Sequence, residues 1–268
     1  MSGLTATARG TETVAANLAN AATPGYARRE LAVSAQTAGG NAGGVRVDGV
    51  TRAVNASVLS ESRLAEAARA EASTRLAFAT QIEDQIGIAG NAGSLGAALT
   101  DFRTALTSAA SRPDDEIRLT HLVDKAQALA SSLNAASEQV QAARSAADQA
   151  IATDVATLNK SLAEVAHLNR RIAVLEADGS DPSSLIDQRQ GIISEISRIV
   201  PVQEVTRAAG AVALFTAEGA VLLDGTVPTE LSFAAAGQVT ANQTVASGLA
   251  LLTQNGTELT QSQMRFYA

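Results

Sequence analysis

The residues able to do chemistry are few and scattered. The two histidines, His121 and His167, lie far apart on helical stretches, and neither has a second histidine or thiol at ligand spacing. Surface or seam-edge positions are expected for both. Asp114-Asp115-Glu116 is a carboxylate cluster that could serve acid catalysis or hold a cation. Its place behind Pro113, where a helix opens, makes it a complement to the positive end of the helix dipole. The glycines of residues 39–44 could cradle a phosphate, but no Gly-Lys-Ser/Thr follows them. A turn before a strand is the reading. Asp187 and Arg189 are the remaining acid/base candidates. They are expected to form a structural ion pair that fixes a short helix against a long one. There is no cysteine, nucleophile elbow, dinucleotide fingerprint or His-Glu-x-x-His. No enzyme, cofactor or metal centre is expected.

Composition points to a helical scaffold. The chain has 268 residues, is 46% hydrophobic but only 3% aromatic, and has no tryptophan. Small side chains suit helices that approach closely. The net charge of −7 argues against a nucleic-acid or anionic-membrane surface, and no apolar run has the length of a membrane span or a cleavable signal.

In the first helix, Leu4, Ala8, Thr11, Ala15, Leu18 and Ala22 alternate at spacings of four and three, a heptad seam made to lie against other helices. Thr23-Pro24-Gly25-Tyr26 stops it, because Pro24 disfavours helix at Thr23 and Gly25 supplies a turn. Extended linker follows, with a short alternating strand at residues 45–50. A helix to Ile86 carries the stripe Ala65, Ala68, Ala72, Leu76, Ala79, Ile82 and Ile86, and Ser94 caps another that ends near Ala110. The longest helix, 114–177, spans about 95 Å at 1.5 Å per residue. It repeats strictly from Leu122 to Ala143, stutters through Ala147, Ile151 and Val155, then resumes from Leu158. Asp181 and Pro182 open a short helix that Pro201 closes, and short apolar runs between 202 and 233 read as β-hairpins. The expected fold is mainly α: an elongated bundle of long antiparallel coiled-coil-like helices with a small β-hairpin region at the C-terminal end.

Asn17, Ala19, Asn20, Thr23, Pro24, Gly25 and Tyr26 match the N-terminal signature of the bacterial flagellar rod, hook and hook-associated axial proteins. Gly44-Val45-Arg46-Val47-Asp48-Gly49-Val50-Thr51-Arg52 and Ser184-Leu185-Ile186-Asp187-Gln188-Arg189 resemble segments of the hook–filament junction members of that family. The family's final acid of the second segment is Gln190 here. Matching blocks fall at residues 17–30, 44–52, 111–133 and 183–200, and the long-helix block separates junction members from rod and hook proteins.

The resemblance implies a structural role without enzymatic activity. It implies an assembly interface formed by Leu4, Thr11, Ala15, Asn17, Leu18, Asn20, Thr23, Pro24, Gly25 and Tyr26. Partners would be other copies in a ring, the hook protein, hook-associated protein 3, and the flagellar export apparatus and its chaperone, with no nucleic acid and no membrane insertion. Localisation would be the extracellular flagellum, reached by type III export without signal cleavage. The implied parts are an assembly helix (1–22), a linker with a short strand (23–53), an elongated helical domain (54–200) and the start of an outer β-rich domain (201–268). Family members continue to a second terminal helix, so the chain is expected to be C-terminally truncated and its chaperone contact doubtful. Another hook or rod protein is the alternative within the family, and a coiled-coil scaffold or signalling protein the alternative of another class.

Overall fold

A computed structural model describes residues 2–23, 25–38, 41–87, 91–244 and 252–259. The fold is mainly α. Helix α1 (Ser2–Ala19) leads into strands β1 (Arg29–Ala38) and β2 (Asn41–Arg52). Helices α2 (Ala56–Ile86), α3 (Leu95–Ser111), α4 (Glu116–Ala177) and α5 (Ser183–Ile196) follow. Strands β3 (Val202–Thr206), β4 (Val212–Thr216), β5 (Val221–Asp224) and β6 (Val227–Pro228) form one antiparallel sheet in sequence order. Strands β7 (Leu231–Ser232), β8 (Thr253–Gln254) and β9 (Thr257–Glu258) form another. Pro24 and the segments 245–251 and 260–268 lie outside the described residues.

The chain divides into two compact units. The first contains residues 1–70, 154–232 and 253–268; the second contains 71–153 and 233–252. Both α2 and α4 pass from one to the other.

The core of the first unit begins on α4, where Val155, Leu158, Leu162, Val165, Leu168 and Ile172 are buried. Ile193 and Ile196 of α5 and Val212, Leu214, Leu222 and Leu223 of the four-stranded sheet complete it. A polar residue sits in this stripe. Asn169, 0% exposed, fills the heptad slot between Val165 and Ile172. Its Nδ2 donates to the carbonyls of Val212 (2.9 Å) and Gly225 (2.6 Å), while its Oδ1 accepts from Arg189 Nη1 (2.7 Å). Arg189 Nη1 also donates to Gly210 O at 2.7 Å. Gly210 has φ +62°, and a Cβ there would lie 2.9 Å from Ile172 Cγ2, so only glycine brings that carbonyl so close to α4. Burial lowers the pKa of Arg189 and the nearby Arg52 lowers it further, against the opposing pull of Glu204 and Glu176.

A second buried cluster ties α2 to α5 and β3. Arg63 Nη1 donates to Glu204 Oε2 at 2.7 Å, and its Nη2 reaches Gln190 Oε1. Gln190 Nε2 in turn donates to Glu204 Oε1 at 2.8 Å. The amide at Gln190 thus serves both charges; a carboxylate there would have no N–H for Glu204. The face of α2 inside this unit is therefore Leu59, Arg63, Ala67 and Ala70, not the expected alanine stripe.

The second unit is thin. Helices α3 and α4 run antiparallel there: Arg118 Nη1 donates to Ser108 O (3.0 Å) and Lys125 Nζ to Asp101 Oδ2 (2.9 Å). Ser94 caps α3 by accepting from Ala97 N at 3.1 Å. Ala105, Ala109 and Ala143 are buried, while Leu76 is 68% and Ile117 82% exposed. At the stutter Asp148, not Ala147, turns inward, and its carboxylate accepts from Ala236 N at 2.7 Å. Two helix starts also shift. Asp115 caps α4 by accepting from Ile117 N (3.1 Å), leaving Asp114 before the helix. Asp181 accepts from Ser183 N (2.9 Å), with Pro182 at the cap of α5.

Replacing Asn169 by alanine takes one acceptor from Arg189 and the side-chain donor from the carbonyls of Val212 and Gly225 inside the core. The expected loss is about 3 kcal/mol of stability, read as a lowered urea midpoint by circular dichroism.

Candidate functional site

The sequence of α1 offers two edges, and the fold uses the polar one. Ser2, Ala6, Gly10, Thr13, Ala16, Asn17 and Asn20 are the shielded residues, along the side that packs on the β1–β2 hairpin. Val45 N donates to Ser2 Oγ (3.4 Å) at one end, and Asn17 holds Arg29 at the other. The lengths agree. From Ser2 to Asn17 the helix rises about 22 Å, and from Ala35, the partner of Val45, to Arg29 the strand covers about 20 Å. Thr7, Thr11 and Thr13 return their hydroxyls to the carbonyls of Gly3, Thr7 and Arg9 at 2.9–3.0 Å, so none competes for the hairpin.

The other edge is left in water. Leu4 is 76% and Leu18 79% exposed, Val14 is exposed, and Ala8, Thr11, Ala15 and Ala22 share that condition. No residue of α1 is buried.

The signature residues form the joint behind the helix. Asn17 Nδ2 donates to Arg29 O (2.8 Å), and its Oδ1 accepts from Arg29 N (2.8 Å) and Tyr26 Oη (2.9 Å). The side-chain amide thereby occupies both main-chain groups of Arg29 as a neighbouring strand would. Asn20 closes the helix end, with Nδ2 donating to Ala16 O (2.9 Å) and Oδ1 accepting from Thr23 Oγ1 (3.3 Å). Gly25 has φ +82°, and a Cβ there would lie 3.5 Å from Asp187 O and 3.7 Å from Gly191 Cα. The Arg29 guanidinium lies 5.1 Å from the centre of the Tyr26 ring.

Asp187 and Arg189, expected as one ion pair, are not brought together. Residues two apart on a helix face different sides. Arg189 turns to Asn169 and Gly210, whereas Asp187 turns to the hairpin. Asp187 Oδ1 accepts from Ala27 N (3.3 Å) and Arg52 Nε (2.9 Å), and Oδ2 from Arg29 Nη2 (3.2 Å). Charge-assisted bonds of this kind contribute about 1.5–3 kcal/mol each. Sequence reasoning missed Arg29, Arg52 and Asn169. Only Asn169 left a readable signal, a polar residue in an empty heptad slot.

His121 and His167 are exposed, and no group of three metal-ligating side chains occurs among the described residues. No helix among them is long and apolar enough to cross a membrane.

With its outward seam and long-helix body the chain resembles the axial proteins of the flagellar rod and hook class. Consistently, the flagella basal body rod protein model matches residues 1–26. The model of the flagellar hook-associated protein FlgK helical domain matches residues 79–265, and the chain belongs to that family, a family of bacterial flagellar components. Flagellar hook-associated protein 1 of Salmonella typhimurium is 29% identical over 239 residues, covering 87% of this chain and 43% of the relative. That of Bacillus subtilis is 28% identical over 224 residues, covering 79% and 44%. The flagellar hook junction protein FlgK from Burkholderia pseudomallei superposes with a TM-score of 0.59 at 25% identity, covering 65% of this chain and 30% of that one. The chain spans less than half the length of the curated relatives it matches.

Asn17→Ala removes the hold on both main-chain groups of Arg29. Hydrogen exchange at the Arg29 amide is expected to accelerate about tenfold, with the amides of Leu162 and Val165 unchanged. Gly25→Ala places a Cβ at positive φ and should cost about 1 kcal/mol, measured by thermal unfolding.

Proposed function

We propose that this chain is a structural, non-enzymatic component of the hook–filament junction that assembles through α1. The exposed leucine seam carries the reading: the helix is fastened by its polar edge and offers its apolar edge to neighbours. Burying a leucine contributes about 1.5–3 kcal/mol, so a seam repeated in every subunit of a ring supplies a cooperative driving force. The contacts follow from that role: sister copies around the axis, the hook protein on one side, hook-associated protein 3 on the other, and the export apparatus and chaperone on the way out. The location would be the extracellular flagellum.

The division into assembly helix (1–22), linker (23–53), helical domain (54–200) and outer β-rich region (201–268) belongs to this reading. So does an antiparallel, coiled-coil-like working arrangement of the long helices, which the four-three repeat of Leu122 to Ala143 supports. Rod and hook proteins share the N-terminal segment, but the helical-domain match favours the junction member.

The test is Leu4→Ser with Leu18→Ser. Both side chains are exposed, so unfolding stability should change by less than about 0.5 kcal/mol. Binding to isolated hooks should fall at least tenfold. Undiminished binding would contradict the proposal.

A further inference from the structure

We propose that Asp187 is a positioning residue: its carboxylate is the joint through which the body sets the direction of α1. The argument starts from what crosses the boundary. Residues 2–53 form a helix–turn–hairpin piece, and α5 belongs to the same unit. Among the described residues, the ion pairs linking this piece to the rest of the unit are those of Arg29 and Arg52, and both end on Asp187. Arg29 opens β1, Arg52 closes β2, and the two are register partners. One carboxylate therefore grips both strands at the root of the hairpin. The same carboxylate accepts the amide of Ala27, and Gly25 brings the turn against Asp187 O and Gly191. Since Asn17 and Tyr26 lock α1 to Arg29, a rotation of the root turns the whole helix.

The two arginines share one acid, and all three side chains are largely shielded from solvent. A neutral Asn at 187 would keep the volume and one acceptor but would turn an N–H₂ group toward one guanidinium. The grip would then hold one strand or the other, not both. The functional consequence rests on the reading of α1 as the assembly helix, but the geometry can be measured without assembly.

The experiment places spin labels at Ala8→Cys on α1 and Glu195→Cys on α5, both exposed positions in a chain without native cysteine. Electron–electron distances are recorded on the lone protein. With Asp187 the distribution should be single and narrow. With Asp187→Asn, or with Arg29→Gln plus Arg52→Gln, it should be at least twice as wide, while exchange protection of the Ile193 and Ile196 amides stays unchanged. The arginine pair of variants leaves α5 untouched, which keeps the test decisive if Asp187→Asn disturbs that helix. An unchanged width in both variants would overturn the proposal, as would broadening that appears only together with lost protection in α5. Hook binding reads the assembly proposal separately, because the Leu4 and Leu18 variants should leave this distance distribution as it is.

Discussion

Helix α1 must satisfy two demands with one short amphipathic segment, and the way it divides them governs the rest of the molecule. An edge strand exposes main-chain groups that need hydrogen-bond partners. Asn17 supplies them at Arg29, so the polar edge of the helix is committed to its own hairpin. The leucine edge then has nothing of this piece beneath it, since a helix cannot present both edges to one surface. Exposure of Leu4 and Leu18 is the outcome of this geometry. Gly3 and Gly10, each costing about 1 kcal/mol relative to alanine, make the helix dependent on what packs against it.

Behind that helix the protein is held by polar clusters as much as by apolar volume. With few aromatic residues available, the first unit buries Leu, Ile and Val of α4 and α5 together with a sheet whose consecutive residues 212–214 and 222–223 are covered on both faces. Asn169 and Arg63 then fix which strands and helices meet there. Buried polar groups of this kind penalise any arrangement that leaves them unpaired, so they define a single register. Unit two has a smaller core: among the described residues only Val239 and Leu252 join Ala105, Ala109 and Ala143 as buried apolar side chains, and large side chains of α2, α3 and α4 remain exposed.

Local rules read directly from the sequence account for much of this. The cap at Ser94, the uninterrupted α4 and the short strands after Pro201 follow from capping, periodicity and turn residues, while α1 ends at Ala19, ahead of the stop expected at Thr23. The heptad positions of α1 were legible as a seam, although nothing in the sequence says which edge meets the hairpin. Strand β1 was not legible as a strand, because its pairing is supplied by β2. Likewise the partners of Asp187 are more than a hundred residues away in sequence. Asp187 and Arg189 are near one another in sequence, but the helical period already sends residues two apart to different sides of α5, so the expected pair misjudged a rule the sequence contains. The inward turn of Asp148 at the stutter is a different case, since an interrupted repeat leaves the facing residue undetermined.

The central claim is that the outer edge of α1 is open in the lone chain and covered on association. Because the chain has no cysteine, Ala15→Cys gives one thiol on that edge. Its rate of reaction with a maleimide, measured first on the isolated protein and then on hooks that have bound it, tests the claim most directly. The account predicts labelling as fast as an exposed helical thiol in isolation and at least tenfold slower labelling in the assembly. Slow labelling of the isolated protein, or equal rates in both states, would contradict it.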